Sequence, residues 1–243
     1  MIRSVLRPKI IPIRTAEGEA HLDIQTVDDY KSDIDRSRIT PFIAVVIPVP
    51  ADMASRILHV QKALKDVDPR HVYHVPSYFH PTVKLVGWLD DRLKENLPVV
   101  LDIVERELRL FKAPMVVFHG VSYFPGVVYL KVHDPKGTIR SMNEVLVEKL
   151  APLIRNFSFE GNSFMPHVTI STFKTKDVDR LLGKVGSMSN TGLGGTVLSE
   201  VRIVEFRAHL AYGNAEEQAE SLRPLRVIHL IEEEDEDARN HGL

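Results

Sequence analysis

Two stretches, 78–87 (YFHPTVKLVG) and 164–173 (FMPHVTISTF), decide how this chain folds. Each holds His-x-Thr followed by an apolar residue: His80 and Thr82 in the first, His167 and Thr169 in the second. Both read as strands. In a strand, residues two apart project from one face, so each stretch offers an imidazole and a hydroxyl side by side. Lys84 and Ser171 follow one period further along the same faces. With 11 His and ten Thr in the chain, roughly half of one such triplet is expected by chance. The weight therefore lies in the matched neighbourhoods: an aromatic upstream, an apolar residue after each threonine, and a separation of 87 residues that suits a duplicated lobe.

Working outward, 40–50 (TPFIAVVIPVP) is an apolar, β-branched run typical of a strand buried on both faces. Asp52 to about Lys65 carries helical spacing through Ile57, Val60 and Leu64. A second helix is marked by Leu93, Leu97, Val100, Leu101, Val104, Leu108 and Phe111, its start placed near Pro98 because proline suits a first turn. The stretch 113–132 reads as two strands about Pro125 and Gly126. A third helix follows through Ile139, Met142, Leu146, Leu150 and Leu153, and a short one through Val178, Leu181, Leu182 and Val185. The glycine-rich 186–196 reads as a flexible connection. Strands near 199–210 and 225–232 end the core. Strands that come in pairs joined by short turns indicate α+β with antiparallel sheets rather than a doubly wound parallel sheet.

The body is expected over residues 39–231. Residues 1–38 read as an N-terminal extension with a short hairpin about 16–20, and 232–243 as an acidic tail beginning with six consecutive acids, Glu232 to Asp237. That tail accounts for the net charge of −2: without it, 30 basic residues face 27 acidic ones. A slightly basic body suits a small or terminal phosphate better than extended nonspecific nucleic-acid binding. The chain of 243 residues has no cysteine, which excludes disulfides, thiolate zinc sites and a cysteine nucleophile. Its longest apolar stretch, 42–51, is about half a membrane span. A soluble, cytoplasmic monomer is expected.

Paired imidazoles and hydroxyls fit phosphodiester cleavage. In-line displacement needs one group to take a proton from the nucleophile and another to give one to the leaving oxygen, and histidine serves both near neutral pH. Hydroxyls donate to the phosphoryl oxygens. The scheme calls for no metal and no cofactor. His71 and His74 lie near His80, but residues three apart in a strand face opposite ways, which argues against a metal site. Tyr78, Tyr123 and Phe124 are candidates to stack a base.

The segments HPTVKLVG and PHVTIST, with the intervening FPGVVYLKV, resemble the 2H phosphoesterases, and within them the 2′-5′ RNA ligase and RNA 2′,3′-cyclic phosphodiesterase branch. The resemblance spans roughly residues 39–231 in element order. It implies a bilobal α+β fold, two antiparallel sheets related by pseudo-twofold symmetry around a central cleft, with helices outside. It also implies metal-independent opening of a 2′,3′-cyclic phosphate, typically to a 2′-phosphate, on RNA ends or small nucleotides, with 2′-5′ RNA ligase activity as a companion. His80 and His167 become the catalytic pair; the sequence leaves open which is base and which is acid, and analogy with the family favours His167 activating water and His80 protonating the leaving oxygen. Thr82 and Thr169 become the phosphate-binding hydroxyls. Lys84, Ser171, Tyr78 and Phe124 are further candidate substrate contacts. The chain departs from the family in a short Phe-Pro loop, where Gly126 follows Pro125 directly. Pro81, which lacks an N–H, requires an edge or a bulge. Rival readings are a non-catalytic module that holds a terminal phosphate, and an enzyme for a 2′-5′ linkage or an ADP-ribose-like cyclic phosphate.

Overall fold

The computed structural model describes residues 24–232. A 3-10 turn, Val27–Tyr30, runs into the short helix α1 (Lys31–Arg36). Then come β1 (Phe42–Val46), α2 (Ala51–Lys65), β2 (Val72–Tyr73), β3 (Thr82–Trp88), α3 (Asp91–Leu108), β4 (Met115–Phe124), β5 (Val127–His133) and α4 (Thr138–Leu150). The chain continues through β6 (His167–Thr172), α5 (Asp179–Ser187), β7 (Gly192–Val197), β8 (Glu200–Phe206), α6 (Ala208–Ala211), α7 (Ala215–Ala219) and β9 (Leu222–His229). The expected hairpin about 16–20 and the acidic run beyond Glu232 lie outside the described residues.

The strands form two antiparallel sheets, in the orders β3-β1-β8-β9 and β2-β6-β5-β4-β7. With β2 set aside, the motif strand leads each order: β3 and β6 are matched, as are their partners β1 and β5. Each lobe contains the same strand–helix–strand unit, β1-α2-β3 and β5-α4-β6. The helices are exchanged. Helix α2 leaves the first sheet to pack on β6 and β7, while α4 leaves the second to pack on β3. One continuous apolar core results, joining Ile43, Val45 and Ile57 to Phe118, Leu130 and Ile170. Every residue of β1 is buried, because Ala44 and Val46 pack with Val204 on the sheet's other face. That bears out the doubly buried reading of 40–50.

Both motif strands carry a β-bulge at the same place. Val45 and Val46 of β1 pair with Lys84 and Thr82, skipping Val83. Val128 and Tyr129 of β5 pair with Ser171 and Thr169, skipping Ile170. The extra residue thus comes directly after each threonine and breaks the two-residue alternation there.

Three expectations are corrected. Helix α3 starts at Asp91, whose preceding Asp90 caps it by accepting from Leu93 N at 3.1 Å. Pro98 is interior and sits on the solvent side, where water can satisfy the carbonyl it frees. The glycine-rich 192–197 is a strand pairing with β4, not a flexible connection. A side chain at Gly195 would meet Val116 O at 3.2 Å, so the glycine permits a close approach that leaves no hydrophobic pattern to read. Residues 24–38 are also more than an appendage. Gln25 N donates to Pro125 O (2.8 Å) and Val27 N to Phe173 O (2.9 Å) in the second lobe. At the other end Ser37 Oγ lies 3.0 Å from His209 Nδ1, and the Arg36 guanidinium lies over Trp88, in the first lobe. The segment straps one lobe to the other.

Candidate active site

The site begins with an isolated antiparallel bridge between Pro81 and Val168, the middle residues of the two His-x-Thr triplets. It joins the start of β3 in the first sheet to β6 in the second; a separate bridge, Lys112–Ile231, joins the chain just before β4 to the chain just after β9. The antiparallel sense sets His80 on the side of Thr169 and His167 on the side of Thr82. All four side chains are partly exposed, while Pro81, Val83 and Val168 between them are buried. Neither threonine hydroxyl is engaged by another group among the described residues.

His80 lies just before β3 rather than within it. The chain there still runs beside β1's continuation, since Val49 N donates to Phe79 O and Ile47 N to Pro81 O, each at 3.0 Å. β3 is an edge strand and the proline opens it, as a residue without an N–H requires.

The two imidazoles have parallel surroundings. His167 Nδ1 donates to Met165 O at 2.9 Å, which places the proton on Nδ1 and leaves Nε2 as an acceptor when the ring is neutral. The Phe124 and Tyr129 rings stack on each other at 4.3 Å and meet the His167 ring edge-on at 5.1 and 5.2 Å. Burial lowers the His167 pKa, and the Met165 carbonyl opposes this only in part. For His80 the carbonyl two residues back belongs to Tyr78; it is within electrostatic reach but outside hydrogen-bonding geometry, so Nδ1 is buried without a partner. Tyr78 tilts against the His80 ring at 5.4 Å and stacks on His74 at 4.0 Å. Burial pushes His80 down to about 4, with a further contribution from His167. At neutral pH the free protein therefore presents two neutral imidazoles.

The structure brings His80, Thr82, His167 and Thr169 together, with Tyr78 and Phe124 at the edge of the group. Both aromatics pack on the imidazoles or their neighbours. Lys84 and Ser171 are corrections to the simple alternation. The bulges turn both inward, and Lys84 is 1% and Ser171 0% exposed. Lys84 is neither solvated nor free for a substrate: its ammonium pairs with Glu160 at 2.6 Å. His71, His74 and His80 do not converge. His71 Nε2 faces Asp68 at 3.3 Å, and His74 Nε2 lies 2.9 Å from Thr172 Oγ1. No group of three His, Asp or Glu placed to hold a metal occurs among the described residues.

Two buried amides escaped the sequence reading. Gln61 Nε2 donates to Ile170 O (2.8 Å) and His74 O (2.7 Å). Asn143 Nδ2 donates to Val83 O (2.6 Å), and its Oδ1 accepts from Gly161 N (2.9 Å). Their signal was present: Ile57-x-x-Val60-Gln61-x-x-Leu64 and Ile139-x-x-Met142-Asn143-x-x-Leu146 place an amide at the same step of an otherwise apolar helix face.

No described helix is long and apolar enough to cross a membrane. No curated protein matches the chain. Solved structures do. E. coli LigT complexed with 3′-AMP superposes with a TM-score of 0.59 at 15% identity, covering 79% of this chain and 98% of that one. A protein of Thermus thermophilus gives 0.56 at 17% identity, covering 79% and 100%. A structure described only as a phosphoesterase gives 0.59 at 14% identity, covering 79% and 99%. These likenesses establish a LigT-like α+β fold of two antiparallel sheets. The sequence profile of the 2′-5′ RNA ligase superfamily matches residues 16–206, a span that begins before the strap and takes in both His-x-Thr strands. With that match, the duplicated sheets and the doubled motif have one explanation: the chain belongs to the 2′-5′ RNA ligase superfamily of 2H phosphoesterases.

Proposed function

We propose that this phosphoesterase opens 2′,3′-cyclic phosphates on small nucleotides or RNA ends by two-histidine acid–base catalysis. The observation that carries the reading is the Pro81–Val168 bridge, which gathers two imidazoles and two unengaged hydroxyls at one point. His167 is the base: with its Nδ1 proton held by Met165 O, its Nε2 lone pair takes a proton from the attacking water. Water oxygen bonds to phosphorus as the ester bond to one ribose oxygen breaks. His80 in its imidazolium form delivers a proton to that oxygen. Burial disfavours this form in the free protein, and the phosphate anion offsets the penalty by pairing with it. Thr82 and Thr169 donate to the non-bridging oxygens, whose charge grows as water attacks. The product expected from the family resemblance is a 2′-phosphate. E. coli LigT has been crystallised with 3′-AMP, with ATP and with NADP+, which supports small nucleotides as ligands here.

The test is a panel of the four nucleoside 2′,3′-cyclic phosphates, cyclic-phosphate-ended oligonucleotides and a 2′-5′-linked dinucleotide, with products separated as 2′- or 3′-phosphates. Wild type should turn over the cyclic substrates with EDTA present, and His80→Asn and His167→Asn should each lose at least about 100-fold, the lower end of a general acid or base contribution. Full activity in either variant would defeat the mechanism. Binding without turnover across the whole panel would favour a phosphate-holding module.

A further inference from the structure

Gln61 and Asn143 occupy equivalent places in the two lobes. Each lies on the helix that crosses to the opposite sheet. Each donates to the carbonyl of the bulged residue directly after a motif threonine, Gln61 to Ile170 after Thr169 and Asn143 to Val83 after Thr82. Each also ties that bulge to the segment covering the motif strand's outer edge: Gln61 through His74 O, beside β2, and Asn143 through Gly161 N, next to the Glu160 that accepts from Leu85 N. Both amides are buried, at 7% and 0% exposure, so these bonds are made away from competing water.

A bulge left alone can relax to regular pairing, which would move the preceding residue to the other face. We infer that Gln61 and Asn143 are positioning residues, each fixing the bulge that aims one phosphate-binding threonine, Gln61 for Thr169 and Asn143 for Thr82. The inference rests on the reading that those threonines grip phosphate. It also makes the site reciprocal, since the helix connecting one lobe's strands holds the other lobe's motif.

Double-mutant cycles test this. Asn143→Leu and Thr82→Val should each lower kcat/KM about tenfold or more, and the pair should lose little beyond either single change. Asn143→Leu with Thr169→Val should instead be additive. Gln61→Leu should show the mirror result, coupling to Thr169 and not to Thr82. A merely structural amide would lower the melting temperature and give additive losses with both threonines, and that pattern would overturn the inference. The same cycles read through the dissociation constant of inorganic phosphate separate this inference from the proposed reaction, because binding needs no turnover. Should Asn143→Leu not fold, Gln61→Leu, at the less enclosed position, carries the cycle alone.

Discussion

Pro81 and Val168 are bridge partners, so the residues on either side of them face each other across a junction of the two sheets. The imidazole of one motif is thereby set toward the hydroxyl of the other. Under the proposed function, a phosphate at this junction would meet groups from both lobes at once, although each motif contributes only one histidine and one threonine.

The first prediction concerns the hydroxyls. Neither Thr82 nor Thr169 has a partner among the described residues, so Thr→Val removes a donor without stranding one inside the protein. Each replacement should lower kcat/KM about 10- to 100-fold, somewhat less than losing a main oxyanion donor. Thermal stability should change little, since both side chains are partly exposed. Kinetics on a cyclic nucleotide together with melting curves check this. A loss of stability with unchanged kinetics would make the threonines structural.

A second prediction follows from the lowered imidazole pKa values. The proposed mechanism needs one ring protonated and one neutral, and the pair's apparent values govern that population. Both rings are depressed by burial, His80 to about 4. The singly protonated form is therefore most abundant below pH 6.5, and it declines as pH rises above the depressed values. The kcat/KM profile should peak on the acid side of 6.5. Removing the ring that meets His167 edge-on, by Phe124→Ala, admits water and raises the His167 pKa, so the alkaline limb should move upward. An optimum at pH 8 that ignores this substitution would contradict the assignment.

The sequence made the pairs of strands legible because β-branched alternation and the Pro125–Gly126 turn are local signals. The candidate quartet of His80, Thr82, His167 and Thr169 could be picked out for a similar reason, as each half lies within three consecutive residues. What escaped depends on distant partners. Nothing local to Lys84 announces a bulge at Val83, and so the alternation rule put the lysine on the cleft face. The strap through Tyr30 shows the same limit. Its ring lies close against Gly126, where a Cβ would meet the tyrosine oxygen at 2.7 Å and require the ring to shift. This close approach of the Tyr30 ring to the Phe-Pro turn joins residues about 100 positions apart. The swap of α2 and α4 between sheets is likewise invisible to periodicity, which reports that a face is buried but not against what.

The buried Lys84–Glu160 pair gives a third prediction. Glu160 also accepts from Leu85 N (3.1 Å) and Phe157 N (2.8 Å), so its carboxylate is fully used. Lys84→Met would leave that carboxylate buried without its counter-charge, a change that costs about 3–5 kcal/mol. Lys84→Met with Glu160→Gln removes both charges and keeps an acceptor for the backbone, so most of the stability should return in urea denaturation. Turnover per folded molecule should remain within about twofold. A large drop in kcat/KM at unchanged stability would place Lys84 on the substrate after all.

The last prediction is loss of stability in mild acid, and His74 is its clearest source. It is 1% exposed, and burial pushes its pKa down to about 3. The unfolded chain would titrate this ring near 6.5, so between about 6.5 and 3 the unfolded state binds a proton that the folded state refuses. Stability must then rise with pH across this window and fall as acid is added. His80 adds to the slope over the upper part of the same range, and His71 and His167 act in the same direction. One such ring contributes about 1.4 kcal/mol per pH unit once fully within the window. Urea midpoints should fall steeply between pH 6.5 and 5, a range where ordinary carboxylates remain ionised. His74→Gln, which carries no titrating group, should flatten the slope by up to one proton's worth even if it lowers stability at pH 7. An unchanged slope in that variant would show that His74 accepts its proton in the folded state, against the burial and the Tyr78 stacking that surround it.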